Sequence, residues 1–220
     1  MTAQSSEEEP RMSRRDRRQQ SIKEAAIEVV FEHGYHAAKV SQIVNEVGVA
    51  QGTFYLYFEG KQQLFGELVS DFLELVVATV ADWEPVEIDT RQRLREELCR
   101  VGLSLTHVLL DNQKMTAIFF RESEAVAPEI NELIRHAYET LLAMLTDFNR
   151  ILYRRGLIAE MNFEVLATMT VGQVERVIVE RIVHENLDDE EPEVIVDHLI
   201  AHYMAGTKAP PGEELQEERR

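Results

Sequence analysis

Apolar residues recur along this chain at intervals of three and four, and no stretch shows the alternation of a half-buried strand. The first stripe is Ile22, Ala25, Ala26, Val29, Val30 and Phe31, closed by His33-Gly34-Tyr35. A shorter one, Ile43, Val44 and Val47, ends at Gly48, a residue suited to the left-handed turn that reverses a chain. Val49 follows the turn, and Phe54 and Phe58 then stand four apart on the inner side of a further helix. That phase leaves Gln51, Thr53, Tyr55, Leu56 and Tyr57 on or near an outward face. Two short helices joined by a tight glycine turn, the second polar and aromatic outside, form the pattern of a helix-turn-helix that enters a DNA major groove.

From Lys61 onward every long segment reads as helix. Leu64, Phe65, Leu68, Val69, Phe72, Leu73, Val76 and Val77 predict one from Lys61 to about Asp82, stopped by Trp83-Glu84-Pro85. Others are expected over about Thr90–Leu110, around Met115–Phe120 after a break at Asp111-Asn112, and from Ala127-Pro128 to Arg155. The last two span Asn162 or Phe163 to about His184 and, beyond an acidic break at Asn186–Glu191, Pro192 to about Met204. Residues 1–12 and 207–220 have no apolar stripe and predict disorder. The expected fold is all-α. A three-helix helix-turn-helix domain over residues 13–60 is joined by a linking helix to a larger helical domain over residues 61–206.

Charge changes the picture. The chain carries a net −17, which looks unfit for a nucleic acid partner. Residues 10–65, however, hold eight Lys/Arg against six Asp/Glu. Setting aside the three glutamates of residues 1–9, residues 66–220 carry −16. Positive charge is thus confined to the N-terminal domain, and an acidic body behind it helps turn that domain toward phosphate. Arg11, Arg14, Arg15, Arg17 and Arg18 precede or open the first helix and suit phosphates or a minor groove. The single cysteine, Cys99, excludes an internal disulfide framework. No apolar run approaches a membrane span and the polar N-terminus is not a secretory signal, so the expectation is a cytoplasmic protein without a membrane partner.

The ordered set Ile22, Ala25-Ala26, Val30-Phe31, Gly34-Tyr35, Ile43, Gly48-Val49, Gly52-Thr53-Phe54-Tyr55, Phe58, Lys61 and Leu64 resembles the TetR family of bacterial transcriptional regulators. The resemblance covers roughly residues 13–66 and extends beyond them only in helix number and length. It implies a dimer whose two recognition helices enter successive major grooves of a pseudo-palindromic double-stranded operator. It also implies a C-terminal domain that dimerises and binds a small-molecule effector, with repression as the expected effect. Carried over by position, Gln51, Gly52, Thr53, Tyr55, Leu56 and Tyr57 are the recognition positions. Gln51 is suited to bidentate contact with adenine and Leu56 to a thymine methyl, while the Tyr55 and Tyr57 hydroxyls suit phosphate. Tyr55 could equally pack against the first helix. Lys61 matches a family phosphate contact, and Ser41 a contact made from the second helix. Two departures stand out. Members commonly open the second helix with Ser or Thr, where this chain has Ala38-Lys39-Val40, so Lys39 offers a charge instead of a hydroxyl. Ala50 stands where a Ser often caps the recognition helix.

For the dimer, Val171, Val174, Ile178 and Ile182 line one face of a helix and Ile195, Leu199 and Tyr203 one face of the next, which two copies would bury as a four-helix bundle. The same stripes would alternatively cover their own domain's core. For an effector cavity, Met115, Phe119, Phe120, Met144 and Phe148 supply an apolar lining, with Arg121, Gln173 and Arg176 as polar candidates. An inward Arg121 or Arg176 would suit the acidic head of a lipophilic acid or acyl thioester. Three rival functions carry less. His107, Asp111, Glu122 and Glu124 show no nucleophile, phosphate loop or cofactor fingerprint, so no enzyme and no cofactor is expected. His198 and His202, with His184 and Asp197 near in sequence, would need a third ligand to hold a metal, and none is expected. A closed, cavity-free C-terminal domain would point to an architectural DNA-binding protein.

Overall fold

The computed structural model describes residues 13–81, 88–122, 128–184 and 191–208. These form α1 (Arg14–His33), α2 (Val40–Val47), α3 (Gln51–Phe54), α4 (Lys61–Ala81), α5 (Arg91–Asp111), α6 (Gln113–Glu122), α7 (Pro128–Arg154), α8 (Phe163–Ile178) and α9 (Pro192–Gly206). Among the described residues there is no strand. The stop at Trp83-Glu84-Pro85, the start at Ala127, most of the break after Asn186, and both chain ends apart from Thr207 and Lys208 lie outside them. Two compact units divide at Leu68/Val69, inside α4 rather than ahead of it.

In the first unit, local chemistry sets each helix end. Ser13 and Asp16 form a reciprocal capping box on α1: Asp16 N–H donates to Ser13 Oγ at 3.1 Å, and Ser13 N–H to Asp16 Oδ2 at 3.2 Å. At α2, Gln42 Oε1 accepts from the Lys39 N–H at 2.8 Å, closing a turn whose first residue has no hydroxyl. Gly48 takes φ 72° and ψ 39°, the left-handed conformation that ends α2. The Val49 N–H then reaches the Val44 carbonyl at 2.9 Å, which fixes the reversal into α3. Ile22, Ala26, Ile43, Val44, Phe54, Phe58, Leu64 and Phe65 fill the interior. Fully burying a side chain of this kind contributes roughly 1.5–3 kcal/mol. These residues fix the angle at which α3 is presented.

In the second unit, α7 and α8 pack as a hairpin and α5 packs on α9. The latter approach is close: a Cβ on Gly102 would stand 2.9 Å from Val196 Cγ1. Ile88, Leu94, Phe148, Leu152, Leu157 and Ile158 form a core cluster at one end. Arg91 clamps the chain there, its guanidinium donating to the carbonyls of Leu157 at 2.6 Å, Thr207 at 3.5 Å and Met204. Thr207, assigned to the C-terminal tail from sequence, is fully buried, and its carbonyl also accepts from the Ala159 N–H at 3.0 Å. A further departure is at the end of α8. The segment expected as one α-helix to His184 changes at Val179–Val183 into a wider π-helical turn, with the His184 N–H on the Val179 carbonyl at 3.0 Å.

Candidate functional site

The first unit presents one polar and aromatic surface. α3 buries Phe54 beneath it and turns outward Gln51 and Gly52, and the turn after it exposes Tyr55 at 54% and Leu56 at 72%. The Tyr55 ring meets the Phe54 ring edge-on at 5.3 Å between centroids, and the rest of the side chain is open to solvent. Thr53 and Tyr57 are half-buried, while Lys39 and Ser41 are exposed on the approach to and first turn of α2. Arg14, Arg15, Arg17 and Arg18 are exposed along the start of α1. A short helix with extended apolar and phenolic side chains, bordered by cations, matches the width and charge of a major groove.

Lys61, expected at a phosphate, lies against the α1–α2 connection in the chain without DNA. Its ammonium donates to the carbonyls of Tyr35 at 2.5 Å, Ala38 at 2.8 Å and His36 at 3.3 Å, and lies 4.4 Å from the centre of the Tyr35 ring. An ammonium has three N–H donors, and here three carbonyls receive them. Burial lowers the Lys61 pKa from its ordinary value and raises that of the Tyr35 phenol. In this geometry Lys61 ties the first turn of α4 to the α1–α2 connection instead of reaching outward. Glu67 adds a second tie, accepting from Lys23 at 3.2 Å and Gln19 at 3.3 Å on α1.

The second unit holds a partly open cavity of about 510 Å³, within the range of small-molecule sites. Of the residues expected there, Phe119, Phe120, Phe148 and Gln173 line it. Met115 is buried away from it, Met144 is half-buried away from it, and neither expected arginine faces it. Arg121 donates to the Val183 carbonyl at 2.9 Å, capping the π-helical turn, and Arg176 pairs with Glu180 one turn along. The seven residues expected at a dimer interface, Val171, Val174, Ile178, Ile182, Ile195, Leu199 and Tyr203, also border this cavity. Ile182 is buried and the other six are half-buried in the single chain. Val165 and Met169 stand at the rim, 52% and 53% exposed.

Sequence reasoning missed two polar features of the wall. Tyr203 Oη donates to Asn149 Oδ1 at 2.6 Å, an internally matched pair among apolar neighbours. Burial pushes the Tyr203 phenol well above its ordinary range, opposed weakly by Arg91. Arg181, in the π-helical turn, is the other. The histidines of the metal alternative are not gathered into a site. Among the described residues no three metal-type ligands come together, Asp197 pairs with Arg95, and His184 lies 3.5 Å from Glu180. No helix among the described residues is long and apolar enough to cross a membrane.

A glycine-hinged helix pair with an exposed second helix, followed by a helical unit around a cavity, defines the class of helix-turn-helix regulators. Comparison with known proteins agrees. Residues 22–68 match the family model described as bacterial regulatory proteins, tetR family. The chain is 31% identical over 161 residues to the Bacillus subtilis HTH-type transcriptional regulator YdgC, covering 72% of this chain and 77% of that one. It is 32% identical over 130 residues to the fatty acid metabolism regulator protein of the same organism, covering 57% of this chain and spanning 65% of that protein's length. The structure of the transcriptional regulator FadR from Bacillus subtilis in complex with stearoyl-CoA shares the fold. Its TM-score is 0.66 at 21% identity, over 85% of this chain and 98% of that one. The chain belongs to the tetR family of bacterial regulatory proteins.

Proposed function

We propose that this protein is an effector-responsive transcriptional repressor. Two copies bind a pseudo-palindromic double-stranded operator through α3, and a lipophilic molecule in the cavity of the second unit releases them. The observation that carries the reading is the pairing, in one chain, of an exposed recognition helix with a largely apolar cavity of about 510 Å³. That cavity argues against a purely architectural DNA-binding role, which needs no interior void. The stearoyl-CoA in the Bacillus subtilis FadR structure supports a long acyl chain as the tail of the effector.

Within this reading, Gln51, Thr53, Tyr55, Leu56 and Tyr57 meet the operator, with Lys39 and Ser41 at its phosphates. Lys61 acts indirectly by holding the α1–α2 connection. The exposed apolar positions Val165, Met169 and Val194 join the α8 and α9 stripes as candidate dimer contacts. Phe72, Leu73 and Val76 of the cavity wall and Lys61 at the tie share the one helix α4. An effector that favours one position of α4 would change the separation of the two recognition helices and weaken operator binding.

The test is binding to DNA from upstream of the protein's own gene, titrated against salt and unrelated DNA, then against oleoyl-CoA. Selective binding that falls steeply with salt and is released by oleoyl-CoA is the expected result. Equal weak binding to both DNAs would remove the specific-repressor reading, and selective binding insensitive to every acyl ligand would remove the effector.

A further inference from the structure

Two apolar stripes in the cavity wall turn polar where they meet. On α7, Leu141, Leu145 and Asn149 stand four apart, so they share one face, and all three line the cavity. On α9, Ile195, Leu199 and Tyr203 repeat the pattern. The last members of the two stripes are joined by the bond from Tyr203 Oη to Asn149 Oδ1 at 2.6 Å. A leucine at position 149 would continue the α7 stripe and suit the helix better than asparagine does.

The bond accounts for only part of the asparagine. A carboxamide has an acceptor oxygen and an NH2 group with two donors. The phenol takes the oxygen, and among the described residues nothing accepts from Nδ2. Asn149 is 2% exposed, and of the buried polar side chains among the described residues it alone lines the cavity. The threonines of the wall are matched, Thr106 donating to the Gly102 carbonyl at 2.8 Å and Thr170 to the Leu166 carbonyl at 2.9 Å. A buried donor without an acceptor is costly, and protein interiors rarely keep one. The space that Asn149 adjoins is the cavity, so the acceptor comes from whatever fills it.

We infer that Asn149 selects an effector carrying an uncharged oxygen acceptor within its apolar body, with Nδ2 as the donor and Tyr203 holding the carboxamide by its oxygen. The inference rests on the reading of this cavity as the effector site and extends it by naming a polar atom the ligand must carry and the residue that reads it. A ketone, ether, hydroxyl, ester or thioester oxygen supplies the acceptor. A carboxylate does not suit this level. Burial raises the Tyr203 phenol, and surroundings that resist a phenolate resist a carboxylate too, even with the Arg91 charge opposing. Arg91 itself gives its donors to the Leu157, Thr207 and Met204 carbonyls. A wholly apolar ligand displaces water from the NH2 group and leaves it bare, and that difference is the source of selectivity.

The experiment measures the affinity of the full chain for methyl octyl ketone and for decane. The ratio of ketone to decane affinity is expected to fall about tenfold in Asn149→Leu. Decane is expected to bind that variant at least as tightly as wild type, which also shows that it is folded. In nuclear magnetic resonance of asparagine-labelled protein, the Asn149 NH2 signals are identified by their absence in Asn149→Leu. They are expected to move downfield with the ketone and not with decane. Stearoyl-CoA and its thioether analogue, which lacks the carbonyl oxygen, separate the two sources of the acceptor. A loss in Asn149→Leu confined to stearoyl-CoA assigns it to an acyl carbonyl, and an equal effect on both assigns it to an oxygen farther along a chain. An unchanged ketone-to-decane ratio in Asn149→Leu, or unmoved NH2 signals with the ketone bound, overturns the assignment and leaves the cavity as a plain apolar site. Failure of both the ketone and decane to bind wild type overturns the cavity reading as well.

Discussion

The ammonium of Lys61 stands 2.5 Å from the carbonyl oxygen of Tyr35, two further carbonyls of the same connection accept from it, and the Tyr35 ring lies beside it. The relationship predicts how Lys61 serves DNA binding. A phosphate contact removed by mutation lowers the salt slope of log K by about 1. Lys61→Met is expected to weaken operator binding with the salt slope unchanged, and to reduce stability by about 2 kcal/mol. Salt titration of operator affinity, with urea unfolding of the same sample, separates placement from direct contact.

Phe54 and Tyr55 are neighbours with opposite fates, one fully buried and one largely exposed. Tyr55→Ala is expected to lose operator affinity while stability stays within about 0.5 kcal/mol of wild type. Phe54→Ala should cost about 3–5 kcal/mol and take DNA binding with it. Denaturant midpoints alongside gel-shift affinities check both. A destabilised Tyr55→Ala would mean the ring packs inward.

The Tyr203 phenol is raised above its ordinary pKa of 10.0 by burial. The folded state therefore holds this proton more tightly than the unfolded state. The contribution is fully present below pH 10.0 and is lost as pH rises through the folded-state value. Wild-type stability is expected to fall above that pH, and Tyr203→Phe to flatten the fall. At neutral pH the same variant leaves Asn149 Oδ1 without its donor, at a cost of about 1–3 kcal/mol. Thermal unfolding from pH 7 to 11 reads both effects.

The close packing of α5 on α9 at Gly102 predicts a coupled pair. Gly102→Ala adds a methyl 2.9 Å from Val196 Cγ1, and a β-branched side chain in a helix has little freedom to yield. The added clash of about 1–3 kcal/mol outweighs the gain of about 1 kcal/mol in helix propensity, so net destabilisation is expected. Val196→Ala in the same chain should relieve the clash. A double-mutant cycle with near-zero coupling would show that the two helices adjust freely.

Val174 lines the cavity, whereas Met169 is exposed at its rim. Val174→Trp is expected to block the effector response while the molecular mass in solution stays that of wild type. Met169→Asp is expected to shift the protein toward monomer. Sedimentation velocity and ligand-induced release from operator DNA report on the pair, and the reverse pattern would return Val174 to an interface.

The parts legible in the sequence were those fixed by neighbours along the chain. Gly48 had to supply a left-handed turn, the four-residue spacing of Phe54 and Phe58 had to point one way, and both hold in the structure. Periodicity shows that a helix has an apolar face but not what covers it, so only the family resemblance favoured an interface over an interior wall for Val171, Val174 and Ile178. The arginines were ambiguous for a similar reason. Arg121, Arg176 and Arg181 all lie near helix ends, and only the fold shows that the first caps Val183, the second pairs with Glu180 and the third lines the cavity. The π-helical turn left no mark, because Val179–Val183 has the composition of an ordinary amphipathic helix end. Lys61 was recognised by position, but its three acceptors are backbone carbonyls, which no residue type announces.

The Arg91 clamp sets an order of events during synthesis. Its acceptors include Leu157, 66 residues later, and Thr207, 116 residues later. Contacts so distant in sequence close late, and domains generally form as units while the chain emerges from the ribosome. The DNA-reading head can therefore be complete while the helices that will enclose the cavity are still being translated. The second unit finishes only once Thr207 has cleared the exit tunnel. A nascent chain stalled between the two would carry an assembled reading head with no means of being released by its effector.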